Sequence, residues 1–171
     1  MDQTVTVVLR FIHIVGGVFW AGAVFLMVGF VFPAVRAAGP AGGRIMQEMQ
    51  RRKLPVFMNA SAGLTMLSGF ILYGRLIAAT DGAWARTTPA MAFGIGALAA
   101  ILGAIVGGGI VGRGGERVAK LGERIQAAGG VPSPEQAAEM SRLQARVGKA
   151  ARVMAGLLFI AVTSMATARY L

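Results

Sequence analysis

A single histidine, His13, stands inside a long apolar run, and small and aromatic residues follow it at helical intervals. Gly16, Gly17 and Trp20 lie at i+3, i+4 and i+7, so on a helix they share a face with the imidazole. That face offers a nitrogen ligand, two positions without side chains and a large aromatic plate. It suits a planar macrocycle with its iron ligated by the imidazole, which points to haem b or a related tetrapyrrole as cofactor. Arg10, one turn nearer the N-terminus, could reach a propionate, and Arg75 and Arg86 are expected on the same side of the membrane. The competing reading is a neutral histidine hydrogen-bonded to a neighbouring helix, with Ser68, Thr65 and Thr163 as available partners.

A second axial ligand is not supplied by another histidine of the chain. Met165 and Met66 are suitable by depth, and His13 of a second copy could complete a bis-histidine pair, whereas a five-coordinate haem needs neither. The ten methionines also raise copper, because thioethers select Cu(I). Met27, Met58, Met66 and Met154 are scattered, however, and Met46 and Met49 fall in a basic segment, as expected of ordinary gap-filling methionine.

Other chemistries lack their residues. There is no cysteine, so disulfides, thiolate metal sites and cysteine nucleophiles are excluded. The seven acids, Asp2, Glu48, Asp81, Glu116, Glu123, Glu135 and Glu139, all lie outside the apolar runs. This speaks against proton-coupled transport and against acid–base hydrolysis. No nucleophile–base pair, phosphate loop or carboxylate dyad is present. Catalysis by side chains is not expected, and any redox chemistry would belong to a bound cofactor.

The elements that must carry these residues are membrane spans. Hydrophobic residues make up 56% of the 171-residue chain, and its mean hydropathy is +0.65. A spanning helix needs ~20 apolar residues to cross a ~30 Å hydrocarbon core. Four runs qualify, over about 5–32, 56–77, 89–111 and 148–170. The first is too long, and meets a small-residue pattern too late, for a cleaved signal peptide. The formal charge of +10 is unevenly placed. Arg36, Arg44, Arg51, Arg52 and Lys53 follow the first run, and Arg113, Arg117, Lys120, Arg124, Arg142, Arg146, Lys149 and Arg152 follow the third. The middle connection carries only Arg75 and Arg86 with Asp81. Alternate basic loops predict an even-numbered membrane bundle with both termini outside the cytoplasm, meeting lipid headgroups rather than nucleic acid.

Punctuation refines the layout. Pro33 is expected to bend or end the first helix, and Ala37–Gly43 to form a turn before an amphipathic piece bearing Ile45, Met46 and Met49. Pro55 opens the second helix, Asp81–Gly82 marks a tight turn, and Thr88–Pro89 reads as N-cap and first helical residue. Val118, Leu121 and Ile125, and again Met140, Leu143 and Val147, recur at helical spacing. Gly129–Gly130 separates them, and Ser133-Pro134-Glu135-Gln136 reads as a capping box. Residues 113–147 are therefore predicted to form a cytoplasmic helical hairpin, continuing helices three and four past the membrane. Gly103 and Gly107 form a small-xxx-small pair for close helix packing, or room for a flat cofactor or neighbouring subunit.

At Leu9-Arg10-Phe11-Ile12-His13, six residues and then Trp20-Ala21-Gly22, the chain resembles the opening helix of small bacterial membrane proteins of the copper-resistance D type and their uncharacterised four-helix relatives. The short membrane-bound protoporphyrinogen oxidase of haem synthesis, a haem b binder, shares that opening. The resemblance covers the first helix well and the four-span layout loosely, and it implies His13 as the ligand. Gly29-Phe30-Val31-Phe32-Pro33-Ala34 stands where the oxidase has a second histidine and a charged motif. The further histidines and methionine clusters of copper uptake are also missing. The resemblance thus implies haem binding rather than oxidase activity or copper transport.

The expected architecture is an all-α, polytopic four-helix membrane bundle forming a single domain. The first functional expectation is a haem-binding protein for electron transfer or haem handling, with His13 as axial ligand. The second is a cofactor-free accessory subunit of a larger respiratory or photosynthetic membrane complex, docking through the glycine-rich third helix and the hairpin. Metal transport comes third, and a homodimer fits either of the first two.

Overall fold

The computed structural model describes residues 3–171, so Asp2, one of the acids above, lies outside the described residues. The described chain is all-α, with four helices long and apolar enough to cross a membrane. Helix α1 (Gln3–Leu26) runs through a π-helical turn (Met27–Val31) into α2 (Phe32–Ala37). Helix α3 (Pro40–Arg51) is a short amphipathic piece, and α4 (Leu54–Ala78) is the second helix long and apolar enough to cross a membrane. A 3-10 turn (Ala83–Arg86) leads to α5 (Thr88–Val106), which passes through a second π-helical turn (Gly107–Gly112) into α6 (Arg113–Ala127). Helix α7 (Pro134–Thr167) is unbroken over 34 residues and ends in a 3-10 turn (Ala168–Tyr170).

Local chemistry accounts for the boundaries. Pro33 does not end the first helix. Having no N–H, it cannot complete an ordinary helical ladder, and the preceding π-helical turn absorbs the defect, with the Phe32 N–H donating to Met27 O. The predicted turn at Ala37–Gly43 shrinks to Ala38 and Gly39. Gly39 takes a positive φ of 56°, and Pro40 at once restarts a helix where its missing N–H matters least. Gly42 then lets α3 fold back on α2, since a Cβ there would sit 2.1 Å from Val35 O. The N-cap of α5 is Thr87 rather than Thr88. Thr87 is extended and its hydroxyl accepts from Ala90 N at 3.4 Å while donating to Trp84 O at 2.8 Å. The Asp81–Gly82 turn is present with both residues left-handed. The capping box at Ser133 is formed on both sides, with Gln136 N donating to Ser133 Oγ at 3.3 Å and Ser133 N to Gln136 Oε1 at 2.9 Å.

Helix α1 packs along α4, and α5 along α7, while α1 also touches α7 and α4 meets α5 only lightly. The pairs join in a core of Trp20, Ala21, Val24, Met154 and Leu158, flanked by Met58, Ala62, Ala100 and Ala104. Around this thin core the large apolar side chains face outward. Phe11, Val18, Leu67, Ile105 and Phe159 are each at least 61% exposed, the reverse of a soluble domain. Gly103 and Gly107 act as packing surfaces, lying against Leu158 and Met154 of α7. Next to them, α6 and the N-terminal part of α7 bury Leu121 and Ile125 from the predicted apolar stripe. At the other end, Trp84 stacks edge-on against Tyr73 at 5.2 Å and lies 6.1 Å from Phe93, tying the 3-10 turn to α4 and α5.

Candidate functional site around His13

His13 is half-buried on α1 and faces α4. Its Nδ1 lies 2.7 Å from the backbone carbonyl of Thr65. A carbonyl oxygen can only accept, so Nδ1 carries the proton, and a neutral ring keeps its lone pair on Nε2. The same carbonyl accepts from Ser68 Oγ at 3.1 Å, and that hydroxyl also donates to Leu64 O at 2.6 Å. One carbonyl of α4 thus gathers the imidazole and a buried serine. Two of the three partners expected for the histidine, Thr65 and Ser68, belong to this knot, one through its carbonyl rather than its hydroxyl.

The rest of the expected face divides between two tasks. Gly16 and Gly17 let α4 approach: a Cβ at Gly16 would stand 2.7 Å from Thr65 Oγ1 and 3.3 Å from Ser61 O, and one at Gly17 3.5 Å from Thr65 Cγ2. Trp20, only 3% exposed, belongs to the buried core with Ala21, Val24, Met154 and Leu158. Arg10 is exposed, one helical turn from His13. Met66 packs against the core, and Met165 lies over Gly96 at the α5–α7 contact, 2.9 Å from where a Cβ would be. Among the described residues no three of His, Cys, Asp or Glu come together.

Sequence reasoning missed Gly69. A Cβ at this position would be 2.7 Å from His13 Cε1 and 3.0 Å from Nδ1, so the ring lies directly on the α4 backbone. Its signal was present, because Ser61, Thr65, Ser68 and Gly69 form a stripe of small residues at helical spacing. Thr65 Oγ1 is buried with no hydrogen-bond partner among the described residues, an arrangement that ordinarily costs about 1–3 kcal/mol.

Comparison with protein-family models, with curated proteins and with solved structures finds no match for this chain.

Proposed function

We propose that this chain is a multi-pass protein of a bacterial inner membrane that binds haem b or a related tetrapyrrole through Nε2 of His13, for electron transfer or haem handling. The observation that carries this reading is the 2.7 Å hydrogen bond from His13 Nδ1 to Thr65 O. Histidines that ligate metals characteristically donate the other ring N–H to a carbonyl or carboxylate, which fixes the tautomer and orients the ligating nitrogen. Nε2 has no hydrogen-bond partner among the described residues. The resemblance of the opening helix to that of the haem b-binding protoporphyrinogen oxidase would carry over the same residue, His13, as ligand.

The geometry changes the expected pocket. Gly16 and Gly17 are covered by α4 and Trp20 is in the core, so a macrocycle would not lie over them. It would have to reach Nε2 from the edge of the ring turned away from Gly69, with exposed Arg10 one helical turn away and available to a propionate. Met66 and Met165 are already occupied in packing, which favours a five-coordinate iron or a second copy's His13 as the sixth ligand.

Sidedness follows from charge. The end holding residues 32–55 and 107–152 carries the basic clusters and would face the cytoplasm, with both termini outside. Helix α7, at ~1.5 Å per residue, is ~51 Å long against a ~30 Å hydrocarbon layer, so α6 and the start of α7 would stand in the cytoplasm as a hairpin.

A second reading has its own observation: Gly16, Gly17, Gly69 and Trp20 are all consumed by helix packing. In that reading His13 is a clamp between α1 and α4, and the protein is a cofactor-free accessory subunit of a larger membrane complex. Copper transport has only the scattered methionines behind it.

The test is the absorption spectrum, oxidised and dithionite-reduced, of detergent-purified protein expressed with ample haem, beside His13→Ala. A near-stoichiometric Soret band that vanishes in a His13→Ala protein still monodisperse on size exclusion supports the haem reading. No band in the unaltered protein sinks it and leaves the clamp.

A further inference from the structure

A second feature of the molecule lies at the opposite end of the bundle from His13 and is independent of any haem. A cavity of about 200 Å³ opens between the π-helical turn, the first turn of α6 and the facing turn of α7. Its charged lining is Arg113 and Arg117 of α6 with Arg146 of α7, and Gly109, Ile110 and Leu143 are among its uncharged lining. Arg113 and Arg117 are four residues apart and so share a helix face, and Arg146 faces them from across the contact. Nearby, Arg36 of α2 and Arg152 of α7 converge on Gly148, each guanidinium 3.9 Å from where its Cβ would be.

None of these five arginines makes an ion pair within 4 Å among the described residues. The pairs present join Glu48 to its neighbours Arg51 and Arg52. Arg113, Arg117 and Arg146 are exposed at this cavity with no carboxylate in its lining, so water screens their repulsion and an anion seated between them would be attracted by all three. Glycine shapes the opening. Gly109 has nothing within 4 Å of a Cβ position, so the π-helical turn presents bare backbone there beside the side chain of Ile110. The guanidinium fork pairs two N–H groups with two oxygens of a phosphate, and several forks can share one phosphodiester.

The surroundings identify the source of the phosphate. Ile110 lines the cavity beside the arginines, and the exposed Ile105 and Val153 lie about two helical turns further into the apolar stretches of α5 and α7. Apolar surface leading into a cluster of arginines is the layout of acyl chains leading into a headgroup. We propose that this cavity is a binding site for the phosphodiester headgroup of an anionic phospholipid, with Arg113, Arg117 and Arg146 as its ligands.

The test uses the full chain in detergent, titrated with phosphatidylglycerol or phosphatidylcholine and read by native mass spectrometry and thermal melting. Phosphatidylglycerol is expected to remain bound and to raise the melting temperature, and phosphatidylcholine to do neither. The Arg113→Gln/Arg117→Gln/Arg146→Gln variant is expected to bind phosphatidylglycerol about tenfold or more weakly. A control with the same charge change elsewhere, Arg44→Gln/Arg124→Gln/Arg142→Gln, is expected to bind like the unaltered chain. An equal loss in the control would overturn the site in favour of diffuse surface charge. Inorganic phosphate or glycerol phosphate binding as tightly as the lipid would overturn the lipid assignment in favour of a soluble anion. If the triple variant does not fold, the single variants Arg117→Gln and Arg146→Gln are read against Arg124→Gln and Arg142→Gln: loss confined to the first pair supports the site, and equal loss in both pairs sinks the proposal.

Discussion

The imidazole of His13 lies on the backbone of Gly69, with Cε1 2.7 Å from where a Cβ would stand. Only a residue without a side chain permits that approach, and the approach is what brings Nδ1 within 2.7 Å of Thr65 O. The glycine on α4 and the histidine on α1 therefore operate as one unit. Gly69→Ala should push the ring off its carbonyl and cost about 1–3 kcal/mol, the usual range for overpacking a tight contact. Gly74→Ala on the same helix meets nothing within 4 Å and should melt within about 1 kcal/mol of the unaltered protein. Thermal melting in detergent compares them. If His13 holds a haem, Gly69→Ala should also lower haem content, which Gly74→Ala should not.

Thr65 contributes to the knot through its backbone, while its hydroxyl is buried and unpartnered among the described residues. Replacing an unsatisfied hydroxyl with a methyl of similar shape removes a desolvation penalty. Thr65→Val should leave the melting temperature unchanged or raise it slightly, whereas His13→Ala should lower it by several degrees. A large loss in Thr65→Val would mean that the hydroxyl has a partner of its own.

Gly114 of α6 faces Val147 of α7, and a Cβ would come 2.4 Å from the valine Cγ2. A β-branched side chain on a helix has little rotamer freedom with which to escape. Gly114→Ala should cost about 1–3 kcal/mol, and adding Val147→Ala should recover most of it. A double-mutant cycle is expected to give a coupling of about 1 kcal/mol or more. Strict additivity would show that the two helices do not pack at this level.

The capping box at Ser133 gives α7 its sharp start. Ser133→Ala should cost about 1 kcal/mol, concentrated in the first turn. Hydrogen exchange should quicken at Gln136 and its neighbours while Leu158, 2% exposed in the core, keeps its protection.

Because the chain has no cysteine, single introduced thiols report sidedness without background. In intact cells, Thr80→Cys should react with a membrane-impermeant maleimide and Ser133→Cys should not, until the cells are opened. The reverse pattern would invert the proposed orientation.

Much of this protein was legible in the chain. The four long apolar helices, the left-handed turn at Asp81–Gly82, the stop at Gly129–Gly130 and the box at Ser133 all appear where the residues put them, because each is set by hydropathy or by local hydrogen bonding within a few positions. The helix that continues past Pro33 was not legible, since the π-helical turn that rescues it is an adjustment of the whole backbone segment rather than a property of the proline. The partition of the His13 face was also beyond the sequence. Helical spacing puts Gly16, Gly17 and Trp20 on one side of α1, but it does not say that α4 covers the glycines while Trp20 is buried in a core shared with Met154 and Leu158. That depends on which helices cross α1 and at what height. The cavity of Arg113, Arg117 and Arg146 was hidden for the same reason. Charge along a chain is one-dimensional, and whether three arginines disperse or close on one space is decided only when α6 and α7 meet at Gly114.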